Sequence, residues 1–386
     1  MEPITRLLHA GDGADPAAHP AAAPIYQTAV FTFPNLDAIA GYYERGEGYL
    51  YSRNGNPSVH DLERAAADLE GCEDAVATGS GMAALVIGML AVARGGGHVI
   101  GCGDLYGGTH ALLAQAESIG FTASIVASAD PDAVAAAMTP DTRLIVTELI
   151  TNPKMRVNDV AALADLAHGR RARLLVDATF ATPYHCRPAE LGADLVMQSA
   201  TKFYGGHNDV TAGVVCGRRA LIEPARELSV LLGTTLAPFE AWLCLRGMKT
   251  LALRMRYQSA QAQAIAEALL KEPRVESVDY PGLPHHPDHA LAQRILRGGF
   301  GPMLAFTVSG GAEGADRFLR GLKLIRFEPS LGGVTTTVSH AATTSHRLVA
   351  PEERARRGIG DGLIRLSVGC EDLTDILADL RHALAN

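Results

Sequence analysis

An α/β fold is what the sequence predicts, with a mainly parallel sheet in a large domain and a smaller α+β domain after it. Three observations carry that prediction. Short apolar runs alternate with helix-length stretches over residues 55–240. Each run is short and apolar throughout, the pattern of a parallel strand covered on both faces. The alternation breaks at a long helix-rich stretch, and beyond it lie two further strand-like runs before a final helix.

Taken in order, residues 1–54 are rich in Pro, Gly and Ala with little period, and read as an arm with inter-subunit contacts. The stretch PSVHDLERAAADLE (57–70) is helical, with proline near its start and Leu62, Ala66 and Leu69 on one face. AVAT (75–78) runs into GMAALVIGMLAVA, HVIGC (98–102) precedes HALLAQAESIG, and TASIVA (122–127) precedes PDAVAAAM. RLIVTE (143–148) precedes VNDVAALADLAHG, and RLLVDA (173–178) and ADLVMQS (193–199) complete the large domain. Strands alternating with helices in this way imply βαβ units. The helix-rich stretch PFEAWLCLRGMKTLALRM leads into the C-terminal domain, 241–386, where MLAFTVSG (303–310) and GLIRLSVG (362–369) are strands.

The chain has 386 residues, 47% of them hydrophobic and 20% charged, enough for a large core. Its net charge of −8 is spread without a basic block, which argues against nucleic acid or an anionic membrane as partner. The cysteines Cys72, Cys102, Cys186, Cys216, Cys244 and Cys370 lie far apart with no CxxC pair, so a reducing compartment is expected. With no secretory pattern at the N-terminus and no run long enough for a spanning helix, a soluble cytoplasmic protein is predicted.

Three places carry chemistry. In ATGSGMAA (77–84) a strand ends in glycines and Ser80 as a helix begins, which is an anion site. It fits a dinucleotide, with Asp104 as the ribose acid, or a cofactor with one phosphate. Asp177 ends a run apolar enough to be buried, where a carboxylate needs a partner. Lys202 follows the next strand, between Ser199 and Thr201 on one side and Gly205 and Gly206 on the other. A lysine for Schiff-base formation, an aspartate opposite a pyridinium nitrogen and hydroxyls on a phosphate give every one of these groups a task. A nicotinamide gives the Asp–Lys pair none. The histidines His285, His286 and His289 of LPHHPDHALA sit among prolines and read as turn residues, not metal ligands.

This combination resembles the pyridoxal-phosphate enzymes of cysteine and methionine metabolism, the cystathionine γ-synthases, cystathionine lyases and methionine γ-lyases. YSRNGNP (51–57), GSGMAA (79–84), DLYGGTH (104–110), VDATFATPY (176–184), SATKFYGGHNDVTAG (199–213), RGMKTLALRM (246–255), PSLGGV (329–334) and GDGLIRLSVGCED (360–372) follow that family's motifs in its order. The resemblance implies a fold-type I transferase with pyridoxal 5'-phosphate as cofactor. It implies that Lys202 holds the cofactor and moves protons, that Asp177 faces the pyridine nitrogen, and that Tyr106 stacks on the ring. Ser80, Gly81, Met82, Ser199 and Thr201 would hold the phosphate. Tyr51 and Arg53 would reach the phosphate of a neighbouring subunit, in a homotetramer built from dimers that share active sites. Arg365, with Ser330 and Asn152, would hold the substrate α-carboxylate.

The implied reaction is γ-elimination on methionine or cystathionine, giving 2-oxobutanoate, ammonia and a thiol. The alternative is γ-replacement, as in a cystathionine γ-synthase or an O-acyl-homoserine sulfhydrylase. The chain departs from the family's patterns at Ala178, where VDNTF is usual, and at Gly108, where methionine γ-lyases carry cysteine. Pro329 stands where the cystathionine enzymes favour glutamate before SLGG, with Glu328 one step earlier. Loss of that acid suits a short thioether such as methionine, with cystathionine next.

Overall fold

The computed structural model describes residues 2–11, 20–347, 349 and 351–385. Residues 1 and 12–19 of the expected arm lie outside the described residues. The arm is less irregular than its composition predicts, because Leu36–Arg45 forms a helix. Asn35 caps it by accepting from the Ala38 N–H, and Gly46 ends it at φ 70°.

The large sheet has seven strands, β1 (Asp74–Thr78), β2 (His98–Cys102), β3 (Thr122–Val126), β4 (Thr142–Glu148), β5 (Arg173–Asp177), β6 (Leu195–Gln198) and β7 (Gly213–Gly217), in the order β1-β7-β6-β5-β4-β2-β3. Strands β2 to β6 pair in parallel, and β7 runs antiparallel to both β1 and β6. Strand β7 was not foreseen. Its glycine-bounded sequence, GVVCG, follows a run of small residues that carries no period. Both faces of the sheet are packed. Ile145, Leu174 and Val176 join the core on one side, and Leu144, Val146 and Leu175 join the core on the other.

The smaller sheet contains β8 (Val275–Asp279), β9 (Met303–Val308), β10 (Arg326–Phe327), β11 (Thr337–His340) and β12 (Leu363–Ser367), in the order β10-β11-β12-β9-β8. Two of these, β9 and β12, are the strands the sequence predicts; VESVD and TVSH are too polar to stand out. Among the described residues no helix is long and apolar enough to cross a membrane.

One buried acid lies beneath the site. The helix Pro57–Glu70 ends on Glu70, which is fully buried. Its Oε1 accepts from the Tyr204 hydroxyl at 2.8 Å and from the Gln198 amide at 2.8 Å, while Oε2 has no partner. Burial lifts the Glu70 pKa from 4.5 to about 7, against the lowering effect of both donors. A carboxyl raised on folding gives stability that is complete below its unfolded pKa and lost as pH rises through the folded one. The loss here amounts to about 3 kcal/mol between about pH 4.5 and about pH 7. Glu70→Gln cannot ionise, so its stability relative to wild type should improve on going from about pH 5 to about pH 8. Denaturation midpoints at the two pH values test this, and an unchanged difference would refute it.

Candidate active site

Carboxyl ends of parallel strands form the ligand crevice of such sheets, and a cavity of about 520 Å³ opens there. Lys202, Asp177 and Tyr106 all line it, as do Ser80, Gly81, Met82, Ser199 and Thr201. Arg365 and Asn152 close its other side. Ser330 reaches it through a hydrogen bond from the Lys202 amine. Tyr51 and Arg53 do not line it. They lie together elsewhere, the guanidinium 5.1 Å from the Tyr51 ring centre, and Tyr51 is exposed. Asp104, the acid of the dinucleotide alternative, is also outside the cavity lining.

The helix Gly81–Ala93 starts directly after β1. Ser80 caps it through its hydroxyl, which accepts from the Ala83 N–H at 3.1 Å, and the first-turn amides of Gly81 and Met82 are left for an anion. A Cβ at Gly81 would sit 2.8 Å from Ser199 Cβ and Oγ, so only glycine lets helix and hydroxyl come together here. Thr201 is otherwise engaged: its hydroxyl donates to Ala212 O at 3.1 Å and accepts from Ala212 N at 2.9 Å. Amides and the Ser199 hydroxyl converging on a glycine-shaped gap fit a phosphate. Gly81→Ala should weaken cofactor binding roughly tenfold through overpacking. Titrating the cofactor against the apoprotein by absorbance checks this, and equal affinity would remove Gly81 from the cradle.

Asp177 ends β5, and its Oδ1 accepts from the Thr179 N–H at 2.9 Å and hydroxyl at 2.5 Å. The paired residue on β4 is Glu148, also buried. Burial raises both carboxyl pKa values, and the Asp177 charge raises that of Glu148 further. Glu148 was missed in the sequence, though it ends a buried strand just as Asp177 does. Its two oxygens accept from the Tyr106 N–H at 2.5 Å and the Asn152 N–H at 3.1 Å. It thereby ties the tyrosine loop to the carboxylate-binding side, as a positioning residue.

Lys202 follows β6, and its amine donates to Ser330 Oγ at 3.0 Å. Burial lowers its pKa from 10.5 to about 8, with a further contribution from Arg365. At neutral pH roughly one amine in ten is then uncharged, against roughly one in three thousand for an ordinary lysine. Only the uncharged amine attacks an aldehyde. The glycines behind it serve packing. Gly206 has φ 74°, and a side chain there would meet the Arg254 guanidinium, which donates to Phe203 O and Gly247 O at 2.8 Å.

Arg365 sits on β12, 4% exposed. It donates to Asn152 Oδ1 at 2.9 Å and to Ser330 O at 3.3 Å. A planar guanidinium fixed in this way can still offer paired N–H groups to a carboxylate. Tyr106 is 43% exposed, with its hydroxyl-bearing ring at the cavity. A Cβ at Gly108 would lie 2.5 Å from Tyr106 Cε1, so the missing side chain there makes room for the ring as it stands. Ala178 is fully buried and donates its N–H to Met197 O. Of the other histidines, His207 Nδ1 donates to Gly205 O and His289 Nδ1 to Pro281 O, while His286 is buried and accepts from Asp288 N. Glu328 is not among the residues lining the cavity, whereas Pro329 is.

A phosphate cradle, a buried acid for a ring nitrogen and a lysine made nucleophilic by its surroundings suit one cofactor chemistry, and the chain is a pyridoxal-phosphate-dependent enzyme. The sequence profile described as Cys/Met metabolism PLP-dependent enzyme matches residues 4–385, and the chain belongs to that family. L-methionine gamma-lyase of Pseudomonas putida is 43% identical over 386 residues, covering 98% of this chain and 96% of that protein. O-succinylhomoserine sulfhydrylase of Pseudomonas aeruginosa is 41% identical over 363 residues, covering 94% and 90%. The crystal structure of cystathionine gamma-lyase from Lactobacillus plantarum complexed with L-serine superposes with TM-score 0.93 at 37% identity, covering 100% of this chain and 99% of that one. The family reaction is γ-elimination or γ-replacement on sulfur amino acids.

Proposed function

We propose that the protein is a γ-lyase acting on a methionine- or cystathionine-type thioether. The observation that carries the reading is the chain of contacts Lys202–Ser330–Arg365–Asn152. It sets a proton-carrying amine beside the anchor for the substrate α-carboxylate. The cofactor, when bound, would supply an electron sink for charge developing at Cα, and Asp177 would hold its ring nitrogen protonated. Arg365 holds the carboxylate, so that Cα and Cβ lie within reach of Lys202. The lysine amine takes the Cα proton, gives it up and, uncharged again, takes one from Cβ, which is what allows a group to leave from Cγ; two protons return to Cγ and Cβ as the oxo acid forms. As the Cγ–S bond breaks, the Tyr106 hydroxyl gives its proton to the departing sulfur. One water enters, and 2-oxobutanoate, ammonia and the thiol leave. The name of the 43% identical relative, L-methionine gamma-lyase, supports elimination. Replacement by a thiol is the second reading, favoured by the sulfhydrylase at 41% identity.

Tyr51 and Arg53, away from their own cavity, are assigned to a neighbour's phosphate. The assembly is accordingly read as a homotetramer of dimers that share active sites. Six free cysteines fit a cytoplasmic setting. The test is 2-oxobutanoate release by the holoenzyme from methionine, cystathionine and an O-acyl-homoserine, with and without added thiol. Release from a thioether without thiol is expected. A new thioether formed from the acyl-homoserine and thiol, with little oxo acid, would overturn elimination in favour of replacement.

A further inference from the structure

The outer wall of the cavity holds a group with no part in the chemistry above. After β11 the chain makes a tight turn. His340 O accepts from Thr343 N at 3.2 Å, from Thr344 N at 3.1 Å and from the Thr344 hydroxyl at 2.8 Å, and His346 N donates to Ala341 O at 2.9 Å. The turn packs on the tyrosine loop, where a side chain at Gly107 would run into Ser345 O. Thr343, Thr344, Ser345 and Arg347 therefore face the same cavity as Lys202 and Arg365. Arg347 is exposed at the rim and has no ion-pair partner among the described residues. The acids that line the cavity are Glu148, which is buried, and Asp177, which is half-buried at the end of β5. The surrounding field is positive as well. Burial lowers the His346 pKa to about 4, and Arg365, Arg357, His110 and Arg354 add to the effect.

A site for an amino acid needs one cation for the α-carboxylate, and Arg365 is placed for it. A second guanidinium at the rim, exposed and lining the same cavity, can take a second anion. We infer that Arg347 receives a carboxylate at the far end of the γ-substituent. The preferred substrates are then those whose leaving group carries its own carboxylate, such as a cysteinyl thioether, rather than a methyl thioether. The inference rests on the γ-chemistry proposed above and refines the substrate class, moving the preference away from the short thioether that Pro329 suggests.

The readout is the ratio of kcat/KM for cystathionine to kcat/KM for methionine, in the holoenzyme. An exposed guanidinium–carboxylate contact should be worth roughly a tenfold factor. Arg347→Ala should lower the ratio roughly tenfold, chiefly through KM for cystathionine, and Arg347→Glu should lower it further. Arg347→Lys should restore part of it, and added salt should reduce the wild-type ratio because the contact is at the rim. A ratio that stays the same in both the Ala and Glu variants overturns the assignment. Should no thioether release 2-oxobutanoate, the elimination reading fails separately. The ratio is then read on O-succinylhomoserine against O-acetylhomoserine with added thiol, with the same two outcomes.

Discussion

Lys202→Ala is expected to lower turnover of any thioether roughly a thousandfold or more. The amine has two tasks, holding the cofactor and carrying protons between Cα and Cβ, and no other side chain at the cavity can take over both. The remaining cavity amines and guanidiniums are Arg347 and Arg365, neither of which can deprotonate at working pH. The cradle at Gly81 and Ser199 is untouched in this variant, so it should still bind the cofactor, without the absorbance of the lysine adduct. Steady-state 2-oxobutanoate release and the visible spectrum, read together, give the result. A Lys202→Ala protein that turned over at even a tenth of the wild-type rate would mean that another base carries the protons.

Arg365→Lys should lower kcat/KM roughly a hundredfold, most of it in KM. The guanidinium is buried, and burial brings its pKa down to about 10. It spans Asn152 Oδ1 and Ser330 O and has further N–H groups that a carboxylate could take. A single ammonium cannot serve both protein partners and both carboxylate oxygens, so the loss is about 2–3 kcal/mol. The substituted ammonium keeps the positive charge that helps to lower the Lys202 pKa, so the loss reports geometry and not field. The kinetic loss should fall on substrates with and without a distal carboxylate alike, which separates Arg365 from Arg347. Unchanged KM values would mean that the α-carboxylate is held elsewhere.

Much of this site could be read from the sequence because its members stand at breaks in simple patterns. Asp177 and Lys202 follow apolar runs, and Ser80 stands between a strand and a helix. Strand ends are where a parallel sheet offers backbone and side chains to a ligand. Glu148 met the same condition and was passed over, because the eye stops at the strand RLIVTE rather than at its last residue. Arg347 gave no signal at all. Its turn has no period, and only the folded chain brings it opposite Lys202. Strands β7, β8 and β11 escaped for a related reason: short, polar or glycine-bounded strands gain their identity from neighbours, not from their own residues. The partnership of Arg365 with Asn152 joins β12 of the smaller sheet to the turn that follows β4 of the larger one, which no local pattern can report.

That partnership also sets an order on the making of the enzyme. β12 follows the other strands in order among the described residues, yet it lies in the interior of its sheet, antiparallel to β11 on one side and to β9 on the other. A growing chain can assemble the cradle, the buried acid and the lysine long before Arg365 exists. Until β12 enters between β11 and β9, the lysine stands without Arg365 beside it. The pairing of Arg365 with Asn152 therefore waits on β12, however early the lysine is in place.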